Sequence, residues 1–218
     1  MSVVDAITTP KRRWFLWQSG LHQIGTSHFN HDKEFVWKER GFNSVDEMNN
    51  EIIKRHNSVV AEDDDIYVLG DLCMGSDLEA NKILLESLNG RIHIVLGNHD
   101  TQKRIEMYES CENVFEICGY ATLKKYKKYT FYLSHYPTNT SNYDDGQHLR
   151  ACVLNICGHI HTDDKYFEMK QGKRSYHVEM DANDCYPTSL DKIIEDLEFL
   201  THKCDCDGSC GENCKCKK

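Results

Sequence analysis

Apolar residues along this chain follow two spacings. Four short runs are apolar almost throughout and bounded by turn residues: Ile66-Tyr67-Val68-Leu69, Ile92-His93-Ile94-Val95-Leu96, Phe131-Tyr132-Leu133 and Cys152-Val153-Leu154-Asn155-Ile156-Cys157. That pattern predicts buried strands. Between the first two lies Ser76-Asp77-Leu78-Glu79, a capping box that opens a helix reaching about Leu88 and closed by Asn89-Gly90. Further helices are predicted over Val45 to Val60 and Leu190 to Leu200. Gly119 to Phe131 and Lys165 to Met180 read as hairpins, so a purely parallel sheet is not expected. The alternation of strand and helix predicts an α/β fold with helices covering sheets.

Composition narrows the class. With 218 residues, 39% hydrophobic and 28% charged, the chain has the make-up of one soluble domain with a core of ordinary size. No run of about 18 apolar residues occurs, so no membrane span is expected. Met1 to Arg13 lack the apolar stretch of a secretory signal, and the expected setting is cytoplasmic. The 35 acidic residues outnumber 26 basic ones, for a formal charge of −9, which argues against a protein that grips extended nucleic acid by its phosphates. Lys124, Lys125, Lys127 and Lys128 read as a solvated turn or strand end. Six scattered cysteines, Cys73, Cys111, Cys118, Cys152, Cys157 and Cys185, read as reduced core residues.

Several strand-like runs end in metal-type ligands. In chain order they are Gly70-Asp71, Gly97-Asn98-His99-Asp100, His135 and Gly158-His159-Ile160-His161. Open α/β sheets gather their sites beyond the C-terminal ends of the strands, and a glycine before a ligand lets the backbone turn sharply and approach an ion. In extended backbone His159 and His161 point the same way and can serve one centre. Asn98 and His99 point apart, so one can ligate a metal while the other faces substrate. A lone Asp after Gly, or a lone His, is more often a satisfied core group. Four ligand clusters in order, each at a strand end, are hard to explain as packing.

The ordered set resembles the calcineurin-like metallophosphoesterase superfamily, especially its small bacterial and phage-type members. The resemblance runs from about Trp14 to Leu200. It includes Val178-Glu179-Met180-Asp181-Ala182-Asn183 and Pro187-Thr188-Ser189-Leu190, which are similar to the closing strand and last helix of such members. It implies a four-layer α/β/β/α sandwich over residues 1–202 with a dinuclear site at one edge. Asp71 would bridge two divalent ions (manganese, iron, zinc or nickel), Asn98, His135 and His159 would complete one shell, and His28 and His161 would serve the other. His99 would face the substrate and protonate the leaving oxygen or stabilise the transition state, with Asp100 orienting its ring. The implied activity is metal-dependent hydrolysis of a phosphate ester, with a diester or small nucleotide-like substrate favoured. Two neighbouring ions polarise the phosphoryl group and supply hydroxide near neutral pH, and a carboxylate behind an imidazole fixes its tautomer.

One motif departs from the pattern. The family's first motif is Asp-x-His, but Thr26-Ser27-His28 stands in its place, and the shifted match Ser19-Gly20-Leu21-His22 also lacks the carboxylate. His28 is preferred because Phe29, His31 and Asp32 to Phe35 continue the family's run. Three readings stay open: Asp32 or a water fills the gap, the site works with one weakly held ion, or the enzyme is crippled. The competing function is a degenerate phosphoesterase fold serving as a metal-binding or interaction module.

Residues 203–218 form a separate tail. Cys204, Cys206, Cys210, Cys214 and Cys216 lie there with almost nothing apolar, so the segment cannot build its own core and is expected to be disordered without metal. Five thiolates can wrap zinc or copper(I), as in a metallothionein fragment, or bind metal opportunistically.

Overall fold

A five-stranded sheet is built on the run from Ile66 to Leu69. The computed structural model describes residues 22–24, 28–140, 149–165 and 175–201. Strand β2 (Asp65–Leu69) lies between β1 (His22–Ile24) and β3 (Arg91–Val95), parallel to both. Strand β4 (Val114–Ile117) extends the sheet on the β3 side, and β9 (Thr188–Ser189) closes the β1 side antiparallel. Three helices accompany this sheet: α2 (Val45–Val59), α3 (Leu78–Glu86) and α4 (Gln102–Glu109). A shorter α1 spans Glu34–Trp37.

The two-residue period of β2 decides the layers. Ile66 and Val68 join Met48, Ile52, Leu85, Ile92, Ile94, Met107 and Tyr108 in one buried cluster beneath the helices. Tyr67 and Leu69 point the other way and join Val95, Phe131, Leu133, Leu154, Ile156 and Tyr176. A fully buried aliphatic side chain contributes about 1.5–3 kcal/mol, so each face specifies its layer strongly.

The second sheet has the order β5 (Ala121–Tyr126), β6 (Tyr129–Ser134), β7 (Val153–Cys157), β8 (Ser175–His177). The β5–β6 pair is the predicted hairpin, whereas β6, β7 and β8 run parallel. Residues 166–174 of the other expected hairpin lie outside the described residues; β8, at its far end, pairs in parallel with β7. Helix α5 (Leu190–Thr201) sinks Leu190, Ile193, Ile194 and Leu197 into the cluster shared by the two sheets. The outer face of the second sheet carries buried Asn155, whose side chain bonds the Thr138 N–H, Ser134 Oγ and Ser175 Oγ. An α/β fold is therefore observed, with two sheets, three helices sharing the first sheet's outer cluster and α5 in the cluster between the sheets.

Two helix starts illustrate local control. Ser44 caps α2 by accepting the Glu47 N–H at 3.1 Å. At α3 the cap is Asp77, not Ser76: its carboxylate accepts the Ala80 N–H at 3.0 Å and adds a negative charge at the positive helix end. Five of the six scattered cysteines are buried and none is bridged, whereas Cys118 is half-exposed. Among the described residues no helix is long and apolar enough to cross a membrane.

Candidate metal centre

The expected ligands converge at the C-terminal rim of the first sheet. Asp71 leaves β2 with φ +52° after Gly70 at φ +83°. Gly70 permits close packing, because a Cβ there would lie 2.5 Å from His135 Nδ1 and 2.7 Å from the Gly97 Cα. Gly97 in turn abuts the Asp71 carboxylate. Four of the six expected ligands, His28, Asp71, His159 and His161, have positive φ. Such backbone costs on the order of 1–3 kcal/mol per non-glycine residue and gathers where function over-determines it.

His135 is completely buried, and its Nδ1 lies 2.8 Å from the Leu69 carbonyl, which places the ring hydrogen on that nitrogen. Its Nε2 then offers a lone pair, 2.9 Å from Asn98 Oδ1, 3.0 Å from His159 Nδ1 and 3.4 Å from Asp71 Oδ2. That lone pair can accept from His159 or bind a cation shared with its neighbours. Burial pushes the Asp71 carboxyl up, but the His28 and His135 imidazoles and the His99 N–H hold it below its ordinary range. Burial, reinforced by neighbouring His135, lowers His159. Asp71, His135 and His159 thus present one carboxylate and two imidazoles whose ligand atoms all lie within 4.8 Å of one another.

His28 forms the other half. Its N–H donates to the Asp71 carbonyl at 3.2 Å, and Phe29 pairs with the Leu72 carbonyl at 3.0 Å. Asn30 locks this turn to α2 and α3 through Asn49 and Asn81. The ring is buried, 3.8 Å from Asp71 Oδ2 and 4.5 Å from the His161 ring centroid. Neither ring nitrogen has a hydrogen-bond partner, and desolvation lowers its pKa to about 4, so it is neutral at physiological pH. A buried neutral imidazole with orphaned nitrogens beside a carboxylate fits a divalent ion. His22, from the shifted match, instead opens β1 opposite Ile66, at the far end of the strands.

Some assignments change. Asp100 does not orient the His99 ring: Oδ2 accepts the Asp71 and Gly97 N–H groups at 3.0 and 2.8 Å, while Oδ1 takes the Tyr108 hydroxyl at 2.8 Å. It clamps two ligand loops together through their backbone amides. His99 is exposed at the rim, tied by its N–H to Asp71 Oδ1 at 2.8 Å and by its carbonyl to Arg104. Asp32 is 82% exposed and pairs with Lys33, so it does not fill the gap beside His28. Thr26 and the five tail cysteines lie outside the described residues.

Sequence reasoning missed the supports of His161. Glu179, fully buried, accepts the His161 and Thr162 N–H groups. Asp181 Oδ2 lies 3.5 Å from His161 Nδ1, and Arg40 grips Asp181 through Nε at 2.8 Å and Nη2 at 3.1 Å. Burial would raise Asp181, yet His161 and Arg40 hold it far below the ordinary range. The run containing Glu179 and Asp181 was visible; its pairing with Arg40, 141 positions away, was not.

No family model matches the chain. The fold is shared with the protein of unknown function AQ665 from Aquifex aeolicus, with a TM-score of 0.65 at 24% identity over 82% of this chain and 99% of that one. A Vps29 single mutant from Entamoeba histolytica aligns at a TM-score of 0.39 and 15% identity over 72% of each chain, a level that carries no argument. The uncharacterized protein MJ1445 of Methanocaldococcus jannaschii is 33% identical over 184 residues, which span 82% of this chain and 91% of that protein. At that identity and coverage, the chain belongs to the same family as MJ1445.

Proposed function

We propose that this chain is a metal-dependent phosphoesterase of the calcineurin-like type, hydrolysing a phosphodiester or a small nucleotide-like ester. The observation that carries the reading is the buried His28 ring, neither nitrogen of which has a hydrogen-bond partner, beside Asp71 and the cluster of His135, His159 and Asn98. Asp71 is within reach of both halves, and His28 with His161 and His135 with Asn98 and His159 would hold one divalent ion each. Bound there, such ions supply Lewis acidity toward a phosphoryl oxygen and an activated water.

The chain's own residues do the rest. Asp100 and Tyr108 hold the Asp71 and Asn98 turns in register, so the ligands are set before substrate arrives. The His135 Nδ1–H is held by the Leu69 carbonyl, keeping Nε2 free of a proton. His99 stands at the open rim, where it can give a proton to a leaving oxygen. Arg40 and Asp181 hold His161 from behind.

Thr26, where the resemblance expects a carboxylate, favours a second reading: a metal-binding module without turnover. Hydrolysis of bis-nitrophenyl phosphate with manganese, by full-length protein and by Asp71→Asn, tests both. Turnover in the first and none in the second supports the enzyme. Metal uptake without turnover in either supports the module.

A further inference from the structure

A second His-centred cluster lies away from the rim, on the face of the first sheet turned toward the second. His93 sits in the middle of β3, only 5% exposed, with Tyr67 stacked on its ring at 4.5 Å. Its Nε2 is 3.0 Å from Asp65 Oδ1 and its Nδ1 is 2.7 Å from Glu116 Oε1. A neutral imidazole carries one N–H, so it can serve only one of these carboxylates. The other would meet a bare lone pair. A cation must occupy that contact, either a second proton or a metal ion.

Two features favour the metal. The β3–β4 ladder slips between Ile92 and His93: Ile92 pairs with Val114, but His93 pairs with Glu116. Without the extra residue, Phe115 would stand opposite His93. Bulges of this kind re-aim a side chain, and here the outcome is a carboxylate opposite His93, with the 63% exposed Phe115 ring still 5.1 Å from the imidazole centroid. Glu116 then brings Cys118, two residues on, to the same place. Cys118 Sγ is 3.6 Å from the same Glu116 oxygen, and the ligand atoms of His93, Glu116 and Cys118 all lie within 4.8 Å of one another. Cys118 is also the half-exposed member of the scattered cysteines, so an ion can reach it. Lys124, the cation on the adjoining strand, is engaged by the Tyr67 hydroxyl at 2.9 Å.

We propose that His93 Nδ1, Glu116 and Cys118 form a separate site for a borderline divalent cation such as zinc. The nitrogen, oxygen and sulfur donors suit that ion, and three protein ligands leave one position to water. Asp65 holds the other ring nitrogen as the carboxylate behind a metal-bound histidine, and is itself held by Arg91 Nε at 2.9 Å. Binding displaces the Cys118 thiol proton to solvent. His93 pairs with Tyr67, four residues before Asp71, so the two sites lie about 13 Å apart along the strand direction. The proposal does not depend on phosphoesterase activity.

The test is alkylation of Cys118 in the full chain by iodoacetamide, with and without zinc, read on the Cys118 peptide by mass spectrometry so that other cysteines do not interfere. Zinc should slow the reaction by about tenfold or more, since a metal-bound thiolate is masked as a nucleophile. Glu116→Gln, a change at a half-exposed side chain, and His93→Gln should each remove that protection, whereas Asp71→Asn should retain it. An unchanged rate with saturating zinc overturns the proposal and leaves His93 as an imidazolium between two carboxylates. Protection that survives both Glu116→Gln and His93→Gln, or that disappears with Asp71→Asn, overturns it equally.

Discussion

The rim around Asp71 and the cluster around His93 use similar side chains on very different backbones. At the rim, His28, Asp71, His159 and His161 occupy left-handed conformations that most residues avoid, and at Gly70 and Gly97 a Cβ would clash with the neighbouring ligand loop. Around His93 the chain is ordinary strand, and one extra residue at Phe115 aims Glu116. Strain concentrated at the rim is held by the surrounding packing, and the proposed ligand role accounts for why it is kept there. The His93 cluster costs the fold little and is held whether or not an ion is present. The proposed catalytic site and the proposed ion site differ in this way.

The comparison breaks most decisively at Asp71. Asp71→Asn should abolish hydrolysis and lower the manganese content of the protein, because a neutral amide cannot hold two dications together. Retained turnover would remove the rim's claim to chemistry. Replacing His99 by Ala should leave metal content unchanged and cut turnover by about 10²–10⁴-fold, the worth of a positioned proton donor. That defect should shrink on nitrophenyl esters, whose leaving group needs no proton. An equal loss on all substrates would make His99 structural.

Acid distinguishes the regions next. In metal-stripped protein the folded pKa of His28 is about 4 against 6.5 in the unfolded chain. The unfolded state therefore binds more protons between these values, so stability is present above pH 6.5 and lost as pH falls toward 4. The full loss is about 3 kcal/mol. Urea unfolding at several pH values should show that slope, and His28→Asn should flatten it; an unaltered slope would place the acid lability elsewhere.

The smallest effect sharpens the contrast in strain. In metal-stripped protein, His161→Gly should leave the melting temperature unchanged or raised by a few degrees. Relief of left-handed strain, about 1–2 kcal/mol, offsets the extra chain entropy of glycine, about 0.5–1 kcal/mol. His93→Gly should lower it, since a strand glycine packs nothing and leaves Asp65 and Glu116 facing a void. A comparable fall in both variants would show that the rim is not strained.

Much of this was legible along the chain. The runs at Ile66, Ile92, Phe131 and Val153 became strands within one or two residues, because a largely buried strand leaves a local apolar signature. The order of Gly70-Asp71, Asn98-His99, His135 and His159-Ile160-His161 was legible because each motif is a strand end joined to its ligand. The Ser76 cap and the His99–Asp100 pairing were misread, since neighbours in sequence offer several partners and geometry selects one.

The sequence by itself determined which segments are strands and which side chains can bind metal, since period and residue type are properties of the chain alone. Tertiary structure decided which of those side chains meet. His28 reaches Asp71 only because the turn after β1 pairs with the turn after β2. Arg40 finds Asp181 only when α1 and the segment after β8 close over His161, and Glu116 replaces Phe115 opposite His93 only through a slip in parallel register. Pairing across a sheet is set by the sum of many distant contacts, and no local pattern encodes it.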